Sequence, residues 1–268
     1  MTKYTLAAMT QAEFADRIKD PVTILIPLGS QEVQGPHAPM GDFRLTERLA
    51  EMSADAGDGI AAPVLPFGYA DFFRGFAGGI QLRPQTFSAV LEDVIVSFLD
   101  HGVERLLIFN GHSANGPLVD QVARKIRRER GVAVPSLNIW KSIPDTLWTE
   151  LYGDEAGAVR GHGGEPMSSA YAYLFPERIR PDLIADKAPR GQAYGLDIHG
   201  ISGVRFEGQP LNLPIDAHEV DPAGMLGGSA RGANAERGRA ICEHIVSHTA
   251  RLIRHMTTCD PRKMLSGR

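Results

Sequence analysis

Twice in this chain a short apolar run breaks off into a polar loop and then an amphipathic helix, and that alternation restricts the fold more than any other feature. Val22-Thr-Ile-Leu-Ile-Pro27 and Arg105-Leu-Leu-Ile-Phe109 are brief, apolar and followed closely by glycine, which fits buried strands better than helices. Leu45, Leu49 and Met52 recur at helical spacing after the first loop, and a helix through residues 118–130 follows the second. Residues 87–101 form a further amphipathic helix that stops at Gly102 and leads straight into the second strand. Strand, helix and strand in this order predict right-handed βαβ units, hence an α/β protein with a mainly parallel sheet.

The rest of the chain extends that reading. Thr10 heads a short helix over residues 10–20, and residues 61–66 and 132–140 suggest two more strands. Residues 67–86 are glycine-rich and aromatic without periodicity, as expected of a loop over a site. Residues 142–159 read as irregular or briefly helical. Residues 176–228 read as long Pro- and Gly-rich loops with room for one hairpin, and residues 233–256 as a terminal helix. No linker or charge block divides the 268 residues, so one domain over 1–268 is expected.

Charge and cysteine usage exclude several classes of function. A net charge of −4 and a pI near 6.1 imply no basic surface for nucleic acid. Neither a leader nor an apolar run approaching about eighteen residues is seen, so a cytoplasmic protein with no membrane partner is expected. Cys242 and Cys259 lack Cys-x-x-Cys spacing and are too few for a disulfide scaffold.

The chemistry gathers in three loops. The stretch GSQEVQGPHAPMGDFRLTERLA, residues 29–50, leaves a strand end and carries Glu32, Gln34, His37 and Asp42 within eleven residues. Ligands collect at the carboxyl ends of strands in open α/β sheets, and two carboxylates with an imidazole can hold a divalent metal. Asp42 also falls near a helix N-terminus, where it would serve equally as a cap. Asn110-Gly-His-Ser-Ala-Asn-Gly116 follows the second strand and supplies His112. Arg160-Gly-His-Gly-Gly-Glu165 precedes a helix with Met167, Ala170, Tyr171 and Leu174 on its inner face. Three such loops at comparable topological positions predict one site assembled at the sheet edge.

GSQEVQGPH, NGHSANG and HGGE, in that order, with Ala233-Asn-Ala-Glu-Arg-Gly238 near the end, resemble the creatininase (creatinine amidohydrolase) family over residues 21–255. The resemblance implies a three-layer α/β/α sandwich, a homo-oligomer often built as a hexamer, and one or two zinc or manganese ions acting on a small-molecule substrate. Glu32 and His112 match ligands of one metal. Asp42 matches the bridging aspartate once a one-residue gap is accepted before Gly41-Asp42-Phe43; without it Phe43 would stand there. The family's second histidine is replaced by Gln34, and creatininase's further carboxylate by Ala114, which leaves Glu165 as the matching second-metal ligand or a base. His162 matches the histidine near the substrate, a proton carrier, with Gln34, His37 and Ser113 as substrate contacts. Trp140 and Trp148 do not obviously reproduce the tryptophan pair that frames creatinine, so creatinine itself is not expected to be the substrate.

The activity so implied is hydrolysis of a small cyclic amide or formamide by water activated on a metal. One alternative keeps the metal and opens a cyclic polyhydroxy diketone, inosose-like, by carbon-carbon cleavage. A serine nucleophile in Gly111-His-Ser-Ala-Asn115 lacks the final glycine of the usual elbow. A non-catalytic ligand binder with a degraded metal site is the remaining alternative.

Overall fold

The computed structural model of the protein describes residues 3–186, 188 and 191–263. Its elements run α1 (Gln11–Arg17), β1 (Ile24–Leu28), α2 (Phe43–Gly57), β2 (Ile60–Ala61), α3 (Pro84–Asp100), β3 (Leu106–Asn110), α4 (Gly116–Arg130), β4 (Ser136–Asn138), α5 (Asp145–Tyr152), α6 (Ala156–Val159), α7 (Met167–Leu174), β5 (Gln192–Ala193), β6 (Leu196–Gly200), β7 (Gly203–Phe206), β8 (Gln209–Asn212), α8 (Ala217–Val220) and α9 (Ala235–Thr257). The first four strands form one parallel sheet in the order β2-β1-β3-β4.

Period-two alternation along β1 decides the layering. Ile24, Ile26 and Leu28 point with Leu106 and Ile108 toward Phe87, Leu91 and Ile95 of α3 and Val119, Val122 and Ile126 of α4. Leu25 and Phe109 face Leu45 and Leu49 of α2, Tyr171 of α7, and Ile241 and Ile245 of α9. Helices therefore cover both faces, giving the α/β/α sandwich. Because Ile24 pairs with Leu106 and Leu28 with Asn110, β1 and β3 end side by side. The loops carrying Glu32 and His112 start from that shared edge.

Several elements differ from expectation. The second strand reaches only Ala61, with Leu65 bridging to Leu28, and β4 shortens to three residues. The helix expected from residue 87 begins at Pro84, whose missing N–H suits the first turn. Residues 142–159 hold α5 and α6. The Pro- and Gly-rich region carries a second, antiparallel sheet, β5-β6-β7-β8, rather than a single hairpin. Every residue of β8 is exposed and Pro210 lies within it, so no alternating apolar signal marks that strand. No described helix is long and apolar enough to cross a membrane.

Candidate metal centre

Glu32 and Asp42 meet because the first loop folds back on itself. The Gly41 amide donates to the Glu32 carbonyl at 2.7 Å, and the Gly41 carbonyl accepts from the Tyr171 hydroxyl at 2.7 Å. Gly41 has φ +86°, a conformation glycine adopts without strain. Asp42 then stands at the N-cap of α2, yet its side chain makes no capping bond. The carboxylate turns inward, accepting from the Ser30 amide at 2.6 Å and the Ser30 hydroxyl at 3.1 Å. The capping role therefore does not account for Asp42.

The second loop brings His112 to the same point. A Cβ at Gly111 would run into the Thr46 side chain, so glycine lets this loop close against α2. Asn115 clamps three segments, with Oδ1 accepting from the Tyr69 amide at 2.9 Å and Nδ2 donating to the Gly29 carbonyl at 3.3 Å. The Tyr69 carbonyl lies 3.0 Å from His112 Nε2 and accepts a hydrogen bond from it. Nδ1 is left facing the acids, 2.9 Å from Asp42 Oδ2 and 3.3 Å from Glu32 Oε1. A histidine that binds a metal through one nitrogen and a backbone carbonyl through the other is the usual outer-sphere arrangement.

The donor set fits a divalent cation. One ligand atom from each of Glu32, Asp42 and His112 lies within 4.8 Å of the others, and all three residues are buried. Glu32 Oε2 is buried with no hydrogen-bond partner. Burial favours a neutral His112, but the Glu32 and Asp42 carboxylates outweigh it and hold the imidazole's pKa well above its ordinary value; burial likewise lifts the Asp42 carboxyl. With His112 protonated the trio keeps one net negative charge, whereas a divalent ion against two carboxylates and a neutral imidazole leaves none. Burying an uncompensated charge is expensive, so the site favours the ion.

The other predicted site residues divide. Glu32, Gln34, Asp42, His112, Ser113, His162 and Glu165 line one cavity of about 900 Å³, a volume suited to a small molecule. His162 Nε2 donates to the Val33 carbonyl at 2.7 Å, which leaves Nδ1 as an acceptor 3.6 Å from Glu32 Oε1. Burial lowers its pKa against the pull of Glu32, and its ring stacks on Phe73 at 4.4 Å between centroids. Gln34 donates to Glu32 Oε1 at 3.1 Å and leaves its own Oε1 buried without a partner. Ser113 Oγ accepts from Asn138 at 3.0 Å.

His37 falls elsewhere, and Glu165 lines the cavity but is not one of the trio. His37 is not among the cavity-lining residues; it reaches Ser168 Oγ at 2.9 Å, and Ser168 donates on to the Gly164 carbonyl, so His37 fastens the first loop to α7. Glu165 stands outside the three-residue cluster. Its oxygens accept from the Ser169 hydroxyl at 2.6 Å and the Ser169 amide at 3.2 Å, so the carboxylate expected to ligate or act as a base is held by α7. Tyr69, Asn115 and Phe73 were not visible as site residues in the sequence, since two contribute through backbone or scaffold contacts and the third by a stacked ring. Both Trp140 and Trp148 line the cavity, which their spacing did not reveal.

Comparison with known proteins places these features in a family. The sequence model for creatininase, described as creatinine amidohydrolase, matches residues 7–253. A 3-dehydro-scyllo-inosose hydrolase of Thermotoga maritima is 26% identical, with 97% of this chain and 88% of that protein covered. A creatinine amidohydrolase of Pseudomonas putida is 26% identical, covering 86% of this chain and 88% of that protein. A manganese creatininase structure superposes with a TM-score of 0.79 at 24% identity, over 96% of this chain and 100% of that one.

Proposed function

The chain belongs to the creatininase family, whose named relatives here are hydrolases, and we propose that it is a metal-dependent hydrolase of a small cyclic amide or formamide. The observation that carries the reading is the convergence of Glu32, Asp42 and His112 from two loops onto one buried point lining a small-molecule cavity. Those three residues would hold a zinc or manganese ion, and such an ion supplies acidified water and a polarised carbonyl.

The chain's own residues supply the rest. Tyr69 and Ser30 orient His112 and Asp42 toward the point where the ligand atoms converge. His162, with its proton committed to Val33 and Nδ1 open, takes a proton from attacking water and returns one to the leaving nitrogen. Phe73 fixes that ring and excludes water from its face. Gln34 Oε1 offers an acceptor to a substrate N–H or O–H.

A second reading, ring opening of a cyclic polyhydroxy diketone, is supported by the coverage of the inosose hydrolase relative and uses the same residues. Metal content and turnover, measured on cyclic amides, formamides and cyclic diketones, test both readings together. Well under one equivalent of metal, with no binding of added zinc or manganese, sinks the metal-dependent assignment. Turnover confined to diketones replaces the first reading with the second.

A further inference from the structure

Resting on that reading, we propose that the substrate carries a carboxylate, received by Arg160 and Lys141 on the cavity wall built from the segment after β4 and the end of α6. Both side chains line the cavity that holds the metal-binding trio. The Arg160 guanidinium lies over the Trp148 ring, 4.4 Å from its centre, and Trp148 is itself buried. Stacking fixes the plane of the fork and leaves its edges to bond a planar anion.

The protein does not use up that charge. Asp145 approaches Arg160 Nη1 at 2.7 Å, but its side chain is 87% exposed, so the contact is solvent-screened and readily exchanged. Arg160 Nε is buried and has no hydrogen-bond partner. Lys141 is exposed and takes part in no ion pair among the described residues. Its backbone is anchored, since the Lys141 amide donates to Asn138 Oδ1 at 3.1 Å and the neighbouring Trp140 indole donates to the Gly111 carbonyl at 2.6 Å. The other carboxylates of the cavity are committed, Glu32 and Asp42 to the trio and Glu165 to Ser169. An incoming carboxylate therefore meets two cations that the wall leaves under-compensated. The substrate class that satisfies both ends of the cavity is an amide bearing an acid group, such as an N-formyl amino acid or a lactam carboxylic acid.

The test compares N-formylglycine with N-methylformamide, and 5-oxoproline with 2-pyrrolidinone, on the manganese- or zinc-loaded protein. Binding by calorimetry and kcat/KM are both recorded. We expect the acid of each pair to be favoured at least about tenfold, with Arg160→Gln lowering the acid-to-neutral ratio by about 10- to 100-fold, the range for a charge-assisted bond. Arg160→Lys should recover part of the ratio, Lys141→Gln should lower it less, and half-molar salt should erode it. Should Arg160→Gln fail to fold, the exposed Lys141→Gln carries the test. Acid-selective binding that depends on these residues without turnover of any compound keeps the subsite and removes the hydrolase reading. Turnover without acid preference does the reverse. Absence of acid-selective binding in the wild-type protein overturns the subsite, as does a wild-type ratio that survives both substitutions.

Discussion

Replacing Glu32 by Gln separates a metal centre from a structural polar knot, because the two predict opposite behaviour without metal. The change keeps the shape of the side chain and its contact with Gln34, and it removes one of two carboxylates crowded around His112 at 3.3 Å and 2.9 Å. In chelated protein the trio then passes from one net negative charge to none, so Glu32→Gln should melt within about 1 °C of the wild type, or slightly above it, as replaced buried charges often do. Adding metal should then distinguish the proteins. An ion at about 100 times its dissociation constant stabilises the native state by about 2.7 kcal/mol. An unfolding entropy of about 2.1 cal/mol/K per residue gives about 0.56 kcal/mol/K for 268 residues, so the wild-type Tm should rise by about 5 °C. The variant should rise by less than about 1 °C at the same concentration. Differential scanning calorimetry with chelator and with manganese or zinc reads all four values. A chelated variant several degrees below the wild type, together with a wild-type Tm that ignores metal, would refute the argument and make Glu32 a structural acid.

Other outcomes follow from the same geometry. Gln34→His should raise the metal count toward two per chain by elemental analysis, since it puts an imidazole where the resemblance to the family implies one; an unchanged count means the second position lacks further ligands. His162→Ala should retain metal yet lose about 100-fold or more in turnover, the scale of a lost proton carrier, and metal loss or full activity would remove it from that role. Glu165→Ala should retain metal as well, but it strands the buried Ser169 donors, a loss of about 1 to 3 kcal/mol that lowers Tm by about 2 to 5 °C; a fall in metal content instead would restore Glu165 as a ligand. Burial pushes the Cys242 thiol up to about 12, whereas Cys259 is partly exposed, so a thiol reagent at pH 8 should label one cysteine quickly and the second only on unfolding; two fast thiols would contradict the packing of α9.

Much of this candidate site was legible because its residues are local in sequence. Glu32 and Asp42 share one loop, His112 opens the next, and each loop leaves a strand whose apolar run is unmistakable. What the sequence could not supply was the geometry that sorts equivalent residue types. Glu165 and Asp42 both precede helices and both looked able to ligate; Ser169, one helical turn on, holds the first, while Ser30 holds the second within reach of Glu32 and His112. His37 looked as available as His162, but only the structure shows Ser168 waiting for it. The antiparallel sheet was hidden for a different reason. Its β8 strand is exposed throughout, so its pairing rests on backbone bonds, which leave no periodic apolar trace.

The placement of that sheet brings a poorly patterned region to the candidate site. Ile198 and Val204 are its chief buried contacts, packed with Ile215 and Val220, and this small core holds the β6–β7 turn in position. The end of β6 and that turn, His199 to Ser202, line the same cavity as the trio. The two strand-end loops and the glycine-rich turn before α7 are fixed by the main core and carry Glu32, Asp42, His112 and His162. The wall formed by β6 and its turn stands on a separate small core, so side chains there can change while Glu32, Asp42 and His112 stay in register. That division fits a family in which relatives of similar identity to this chain carry names for different substrates.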